Sequence, residues 1–279
     1  VADAEARADA AAAWGLASLP AEPGRDVTAI VEAAAAGRLE ALVVGGVEIA
    51  DLPSAARARQ ALSTVPFLVS LEVRRSEVTE AADVVLPVAP MVERPGSFVS
   101  WEGRRRAFDA VLDEPNSLTD IRVLAGIAEE LGRPLGFRTV AGARRALDEL
   151  GPWDGERAAA PQVAPTDADA PQRRVVLATW RQLVDDGRGQ DGQPEYHATA
   201  RPAVLRASAT TLRAFDIDPG RTATIGTDVG SVSLPTELAD LPDGVVWAPG
   251  NNGANLASTL GVAHGDTVEL APQEEQTHE

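Results

Sequence analysis

Few side chains in this sequence could do chemistry, and their types narrow it sharply. Among 279 residues there is no cysteine, and the only histidines are His197, His264 and His278. Without a thiol the chain offers no thiolate nucleophile, disulfide, iron–sulfur ligand or zinc–thiolate site. The histidines are scattered rather than set four residues apart on a helical face, so they predict no metal pair. Carboxylates are numerous, but none stands in an evident acid–base pair. What remains are groups that hold partners rather than attack them. Asn251, Asn252 and Asn255 offer amide donors and acceptors in one loop, where asparagine also serves turns. Gly45-Gly46 follows an apolar run, as phosphate-binding loops do, but it is not G-x-G-x-x-G and no helix opens directly after it. Trp101-Glu102-Gly103-Arg104 could contact a ligand. More simply, it is a tight turn in which Gly103 takes positive φ and Glu102 and Arg104 form ion pairs. Arg104-Arg105-Arg106 is either a docking patch on an acidic protein or a solvated strand edge.

The elements that must position these groups fall into two regimes. Residues 1–150 alternate helix and strand. An Ala-rich helix covers 3–13. A second helix starts at the cap Asp26, is expected to bury Val27, Ile30, Val31 and Ala34, and stops at Gly37. Leu42-Val43-Val44 predicts a buried strand, Ser54 a cap for a helix over 55–63, and Phe67–Leu71 the next strand. A short helix near 76–82 leads into the apolar strand Val84-Val85-Leu86-Pro87-Val88. Ser117-Leu118-Thr119-Asp120 fits a capping box. The helix behind it sets Leu118, Ile121, Leu124, Ala125, Ala128 and Leu131 on one face, and a last short helix covers 141–150. This order predicts a parallel, right-handed βαβ sheet.

Residues 151–172 are rich in Pro, Ala and Asp without a periodic face, and are expected to be a linker. Gly187–Pro194 predicts a second, mobile loop. From about 173 the pattern becomes short strands joined at glycines: 175–177, 203–207, 222–225, 231–234, 245–248 and 267–270. Phe215–Gly220 and Leu260–Asp266 look alike, each placing an apolar residue and a turn before a strand, as in a small interlocked barrel. The expected organisation is an α/β domain over 1–150, a linker over 151–172, a β-barrel domain over 173–271 and a tail over 272–279.

Composition sets outer limits. The formal net charge is −17, with all 25 basic residues arginine. Such a surface repels nucleic acid and anionic lipid, both of which need a basic patch. No apolar run is long enough for a membrane helix, and no signal-like segment opens the chain. The chain begins with Val1 inside apparent helix, so it is expected to be a piece of a longer polypeptide.

The stretch 82–106, AADVVLPVAPMVERPGSFVSWEGRR, resembles the A-D-V-V-L-P…E…G…(N/S)-x-E-G-R block of the molybdopterin oxidoreductase superfamily. A second block runs from Ser208 to Val232, and a third holds Leu241–Trp247 with Pro249-Gly250-Asn251-Asn252. Both resemble that superfamily's dinucleotide-binding barrel, in family order. The resemblance implies a parallel-sheet, Rossmann-like α/β domain followed by a small β-barrel of the double-psi type. VVGGVEIADLPS, SLEVRRSEVTEAADVVLP, SFVSWEGR and GVVWAPGNNG are most similar to the C-terminal half of the large iron–sulfur subunit of bacterial NADH–quinone oxidoreductase (complex I), the actinobacterial form in particular.

That likeness implies a non-catalytic scaffold portion of an assembly that passes electrons from NADH to a quinone. Iron–sulfur clusters are then expected in polypeptide N-terminal to this segment. The expected partners are other peripheral-arm subunits, with no nucleic acid and no direct membrane insertion. The expected place is the cytoplasmic face of the bacterial plasma membrane. The alternative is the C-terminal half of an active, formate dehydrogenase-like molybdopterin enzyme. Active members usually carry G-x-N-P where this chain has Gly45-Gly46-Val47-Glu48, and Glu48 would add negative charge near a diphosphate. Molybdopterin is therefore not expected. Glu72, at the family position of an acidic ribose ligand, and Asn251, Asn252 and Asn255, at the barrel mouth, are candidates for a relic pterin site, with no catalytic residue and no metal ligand.

Overall fold

The computed structural model describes residues 3–114, 116–151 and 174–273. The expected linker after Gly151, the tail beyond Gln273 and His278 lie outside the described residues. The chain divides into two compact units. One comprises Val1–Val47 and Gln60–Gln162, the other Glu48–Arg59 and Val163–Glu279. Glu48–Arg59, which the sequence pattern places inside an α/β domain, groups with the second unit.

The first unit begins with α1 (Ala4–Ala13) and α2 (Val27–Ala35). Each starts where an aspartate satisfies an orphan amide: Asp3 accepts from Ala6 N and Asp26 from Ala29 N, both at 2.7 Å. The face that α2 buries is Ala33, Ala34 and Ala35. Val27, expected inside, occupies the first helical turn and is exposed. Then come β1 (Leu42–Gly45), α3 (Ala55–Thr64), β2 (Leu68–Glu72), α4 (Glu77–Ala81) and β3 (Val84–Pro87). The division between the units passes through α3.

The three strands form a parallel sheet in the order β1-β2-β3, with Leu42 opposite Leu68 and Val69 opposite Val84. β2 is central, and Leu68, Ser70, Leu71 and Glu72 are all buried on it. The outer strands are wetter than their sequences suggest. Val43 on β1 and both valines of β3 are exposed, because these strands lie at the sheet's edges.

An antiparallel hairpin follows, β4 (Gly96–Val99) with β5 (Arg105–Phe108). α5 (Asp120–Glu130) and α6 (Val140–Glu149) complete the unit. The cap of α5 is Thr119, accepting from Arg122 N at 3.3 Å, not Ser117. Its expected apolar face is only partly used: Ala125 is buried, whereas Leu118, Leu124 and Leu131 are exposed.

The second unit is a closed six-stranded barrel. Its elements are β6 (Arg174–Trp180), α7 (Pro194–His197), β7 (Leu205–Ala207), α8 (Ala209–Ala214), β8 (Thr222–Gly226), β9 (Ser231–Leu238), β10 (Val245–Pro249), α9 (Leu256–Leu260) and β11 (Thr267–Pro272). Around the barrel the order is β10-β6-β11-β8-β9-β7, and β7 closes on β10. Two pairs are parallel, β10 with β6 and β7 with β9, and the rest are antiparallel.

The two look-alike motifs occupy matching places: a short helix, α8 or α9, then the turn, then strand β8 or β11. A sequence pattern of short strands and glycine joins does not show either helix. Alternate residues point inward, so Val175, Leu177, Leu205, Ile225, Val246 and Val268 meet Leu212, Leu256 and Leu260 of the helices in one core. Gly187–Pro194, expected to be a mobile loop, holds a 3-10 turn at Arg188–Gln190 and the first residue of α7.

Candidate functional site

In the α/β unit, ligand groups would gather at the carboxyl ends of the parallel strands. β1 ends in Gly45-Gly46. Gly46 adopts φ of 63° and donates to Leu71 O at 3.2 Å, which carries the β1–β2 ladder one bond past the strand. β2 delivers Glu72 next to it, only 6% exposed, with Oε1 accepting from Val73 N at 3.0 Å. Glu72 also lines a groove with Arg74, Arg75, Thr79 and Pro87. The Ser70 hydroxyl, two residues earlier on the same face, is buried with no hydrogen-bond partner among the described residues.

Trp101-Glu102-Gly103-Arg104 is the tip of the β4–β5 hairpin. Gly103 has φ of 82°, Ser100 N donates to Arg104 O at 2.9 Å, and Arg104 pairs with Glu102 at 3.0 Å. Trp101 is 95% exposed. Of the next arginines, Arg105 pairs with Asp148 of α6 at 2.6 Å.

One end of the barrel carries a cluster of charged and amide side chains. β6 and β10 run parallel, with Trp180 opposite Pro249, so they release Arg181 and Asn251 side by side. Arg181 Nε donates to Asp185 Oδ2 at 2.8 Å, and Arg181 Nη1 lies 3.6 Å from Asp51 Oδ2. The Asp185 carboxylate is buried, its side chain 4% exposed, and also accepts from Gly187 N at 2.8 Å. With the Asn251 amide assigned from its neighbours' donors, Oδ1 accepts from Arg181 Nη2 at 2.7 Å and from Gly187 N at 3.2 Å. The hydrogen bond to Asp185, and secondarily the nearby negative charges of Asp185 and Asp51, raise the Arg181 pKa above its ordinary value despite an opposing desolvation cost.

The loop after β6 is tied down as well: Asp185 N donates to Gln190 Oε1 at 2.8 Å, and Gln190 Nε2 to Leu183 O at 2.6 Å. Arg188 and Glu48 pair at 3.7 Å.

The other two asparagines are engaged too. Asn252 Nδ2 donates to Arg201 O at 2.7 Å and Gln182 Oε1 at 3.2 Å. Asn255 donates to Asp51 Oδ1 at 2.9 Å, while its own Oδ1 caps α9 by accepting from Ser258 N at 3.1 Å. Asp186 accepts from Gly253 N at 2.6 Å and meets His197 Nε2 at 2.8 Å. His264 Nδ1 accepts from Thr179 N at 3.2 Å. Among the described residues, no three His, Asp or Glu side chains are grouped to hold a metal. The structure therefore gathers Asn251, Asn252 and Asn255 in the barrel unit and sets Glu72 in the α/β unit. The Arg181–Asp185–Asp51 cluster has no signature in the sequence. Arg181 and Asp185 are four apart in a loop, and Asp51 lies about 130 positions away.

Residues 4–130 match the family model of the molybdopterin oxidoreductases. A solved structure of similar fold is acetylene hydratase from Pelobacter acetylenicus (TM-score 0.54, 14% identity, 88% of this chain and 46% of that one). More particularly, the chain is similar to the G subunit of NADH-quinone oxidoreductase. It is 44% identical to that of Mycobacterium bovis over 97% of its length and 34% of the relative's. For Streptomyces coelicolor the values are 44%, 97% and 33%. The chain thus spans about a third of the length of the curated relatives it matches. No described helix is long and apolar enough to cross a membrane.

Proposed function

We propose that this chain is a scaffold portion of the electron-transfer subunit of an NADH-quinone oxidoreductase, whose assembly passes electrons from NADH to a quinone. The observation that carries the reading is the 44% identity to the G subunit across nearly the whole chain. In this reading the segment is the C-terminal part of the subunit. The iron–sulfur clusters are held by polypeptide outside it, which suits a chain without cysteine. The partners are other subunits of the peripheral arm, at the cytoplasmic face of the membrane. The α/β unit is the Rossmann-like half of the fold, and the barrel is of the double-psi type. The parallel order β1-β2-β3 and the recurring helix–turn–strand of the barrel support these finer descriptions.

A pterin dinucleotide fits these residues poorly. The three asparagine side chains at the barrel end already bond protein groups: Arg181 and Gly187, Gln182 and Arg201, Asp51 and Ser258. A ligand would have to break those pairs, and the buried Asn251, if left without a partner, would cost about 1–3 kcal/mol. Glu72, in the α/β unit, is buried and its Oε1 already accepts from Val73 N. We therefore assign no cofactor to this segment and no catalytic residue within it.

Mass spectrometry of the denatured native complex, together with elemental analysis, tests this reading. The expected result is iron without stoichiometric molybdenum, tungsten or guanylated pterin. A stoichiometric pterin would instead make this segment part of a molybdopterin enzyme.

A further inference from the structure

We propose that His264 is a proton-operated clasp on the carboxyl end of β6, closed while its ring is neutral and open once the ring is protonated. Strand β6 lies between β10 and β11, and its amides alternate between them. Val176 N donates to Gly244 O, on the β10 side. Leu177 N donates to Asp266 O on the opposite side, and Leu177 O accepts from Gly265 N. β11 itself begins only at Thr267, opposite Val176. Beyond that point the turn 263–266 stands in for the absent strand. Thr179 N is the next donor on this side. It donates to Nδ1 of His264 at 3.2 Å, its one acceptor among the described residues. A side chain thus continues the ladder where the backbone turns away.

An amide N–H can donate only to a ring nitrogen with a free lone pair. The bond therefore requires Nδ1 to be unprotonated, with the proton of the neutral ring on Nε2. Once Nδ1 gains a proton, two N–H groups face each other and the bond is lost. Imidazole is the side chain that ordinarily changes charge between about pH 5 and about pH 8.

His264 is exposed, so protons reach it without opening the fold. Its titratable neighbour on the turn is Asp266, whose Oδ2 is turned back to accept from Ala263 N at 2.8 Å. From β6 the uncharged Thr179 faces it, and Arg181, two residues on, is held by Asp185. No ion pair joins His264 to a described residue, so no described carboxylate holds the protonated ring against the strand. Opening frees one edge only. On the β10 side Thr179 Oγ1 still donates to Ala248 O at 2.9 Å, and Trp180 O accepts from Gly250 N at 3.0 Å. The strand end loosens without leaving the barrel, and this is the end that leads into Arg181 and the loop it anchors.

Residue-resolved hydrogen exchange on the full native subunit in its complex, at about pH 8 and about pH 5.5, tests the clasp. Rates are read as protection relative to the intrinsic rate at each pH, because exchange chemistry itself depends on pH. Losing one hydrogen bond should lower Thr179 protection about threefold to tenfold at the lower pH. Leu177, bound to the same turn through a backbone carbonyl, should change by less than about twofold. His264→Asn sets an amide oxygen near the position of Nδ1 and cannot titrate, so Thr179 should stay protected at both pH values. In His264→Ala it should be unprotected at both. Asp266 and His197 remain in each variant, so neither can produce that contrast. Equal protection of Thr179 at the two pH values in the unmodified subunit would overturn the proposal. An acid-dependent loss in either variant would do the same. A matching loss at Leu177 would mean that the turn opens as a whole, and also refutes a clasp confined to the strand end.

Discussion

Replacing Arg181 with Met asks whether the charged cluster at the barrel end holds the loop in place. The substitution keeps most of the aliphatic stem and deletes the guanidinium. Asp185, almost wholly buried, then retains its bond from Gly187 N but loses two from Arg181, at 2.8 and 3.4 Å. Asn251 Oδ1 loses its 2.7 Å donor at the same time. Breaking a fully buried ion pair costs about 3–5 kcal/mol, and an exposed one ~0–1 kcal/mol. Arg181 is 49% exposed while its partner is 4% exposed, so the cost belongs between these limits, at roughly 2–3 kcal/mol. Urea unfolding of the chain, followed by Trp fluorescence, measures it.

The double variant Arg181→Met/Asp185→Leu removes both charges and should recover a substantial part of the loss, because the buried unpaired carboxylate is the chief penalty. If the single variant loses less than about 0.5 kcal/mol, or the double variant loses the full sum of both singles, the cluster is not a coupled unit and the reasoning fails. The pH dependence has a definite sign. A basic group whose folded pKa is raised contributes stability that is complete below its unfolded value, and this is lost only as pH rises through the folded value. Arg181 should therefore add no slope to stability between about pH 6 and about pH 10.

Other perturbations probe separate parts. Leu177→Ala, in the barrel core, should cost about 2–5 kcal/mol in the same unfolding assay. Asp26→Ala should cost about 1 kcal/mol by removing the cap of α2, and Asp26→Asn should restore most of it. Gly103→Val forces a β-branched residue to φ of 82°, which should raise amide exchange across β4 and β5 while leaving β1–β3 protection unchanged. Phe108→Leu removes the ring stacked on Phe98, with centroids 5.1 Å apart, and should loosen the same hairpin by about 0.5–1.5 kcal/mol.

Local signals carried much of this fold. Asp26 and the glycine-marked joins of the barrel lie where short-range chemistry decides, and the structure uses them; it adds a reciprocal capping box of Ser76 with Thr79 at the short helix expected near 76–82. The strand Val84–Pro87 shows the limit. Its apolar run predicts burial, but burial depends on neighbours, and at the sheet's edge both valines meet solvent. For the helix after Thr119, Ser117 and Thr119 both offer a capping hydroxyl. Backbone geometry, which residue types do not encode, chose Thr119. α8 and α9 are six and five residues long, too short for a 3.6-residue period to stand out from a strand's alternation. Asn251, Asn252 and Asn255 stand in one loop, as their positions in the sequence require. Their partners were not legible, because Asp51 reaches Asn255 across 204 positions.

The turn that departs from the family pattern gains a different meaning once those partners are known. By sequence, Val47-Glu48 in place of Asn-Pro reads as the loss of a ligand cradle, with Glu48 an electrostatic nuisance. In the structure Glu48 opens the segment 48–59 that groups with the barrel, and its carboxylate meets Arg188 of the loop after β6. Three residues on, Asp51 accepts from Asn255 and faces Arg181. Two carboxylates on this short segment thus address the groups that line the barrel end, one arginine each, with an asparagine between. Glu48→Gln and Asp51→Asn together should therefore weaken the hold on the segment, visible as faster exchange over 48–59, without affecting the β8–β9 pair on the barrel wall.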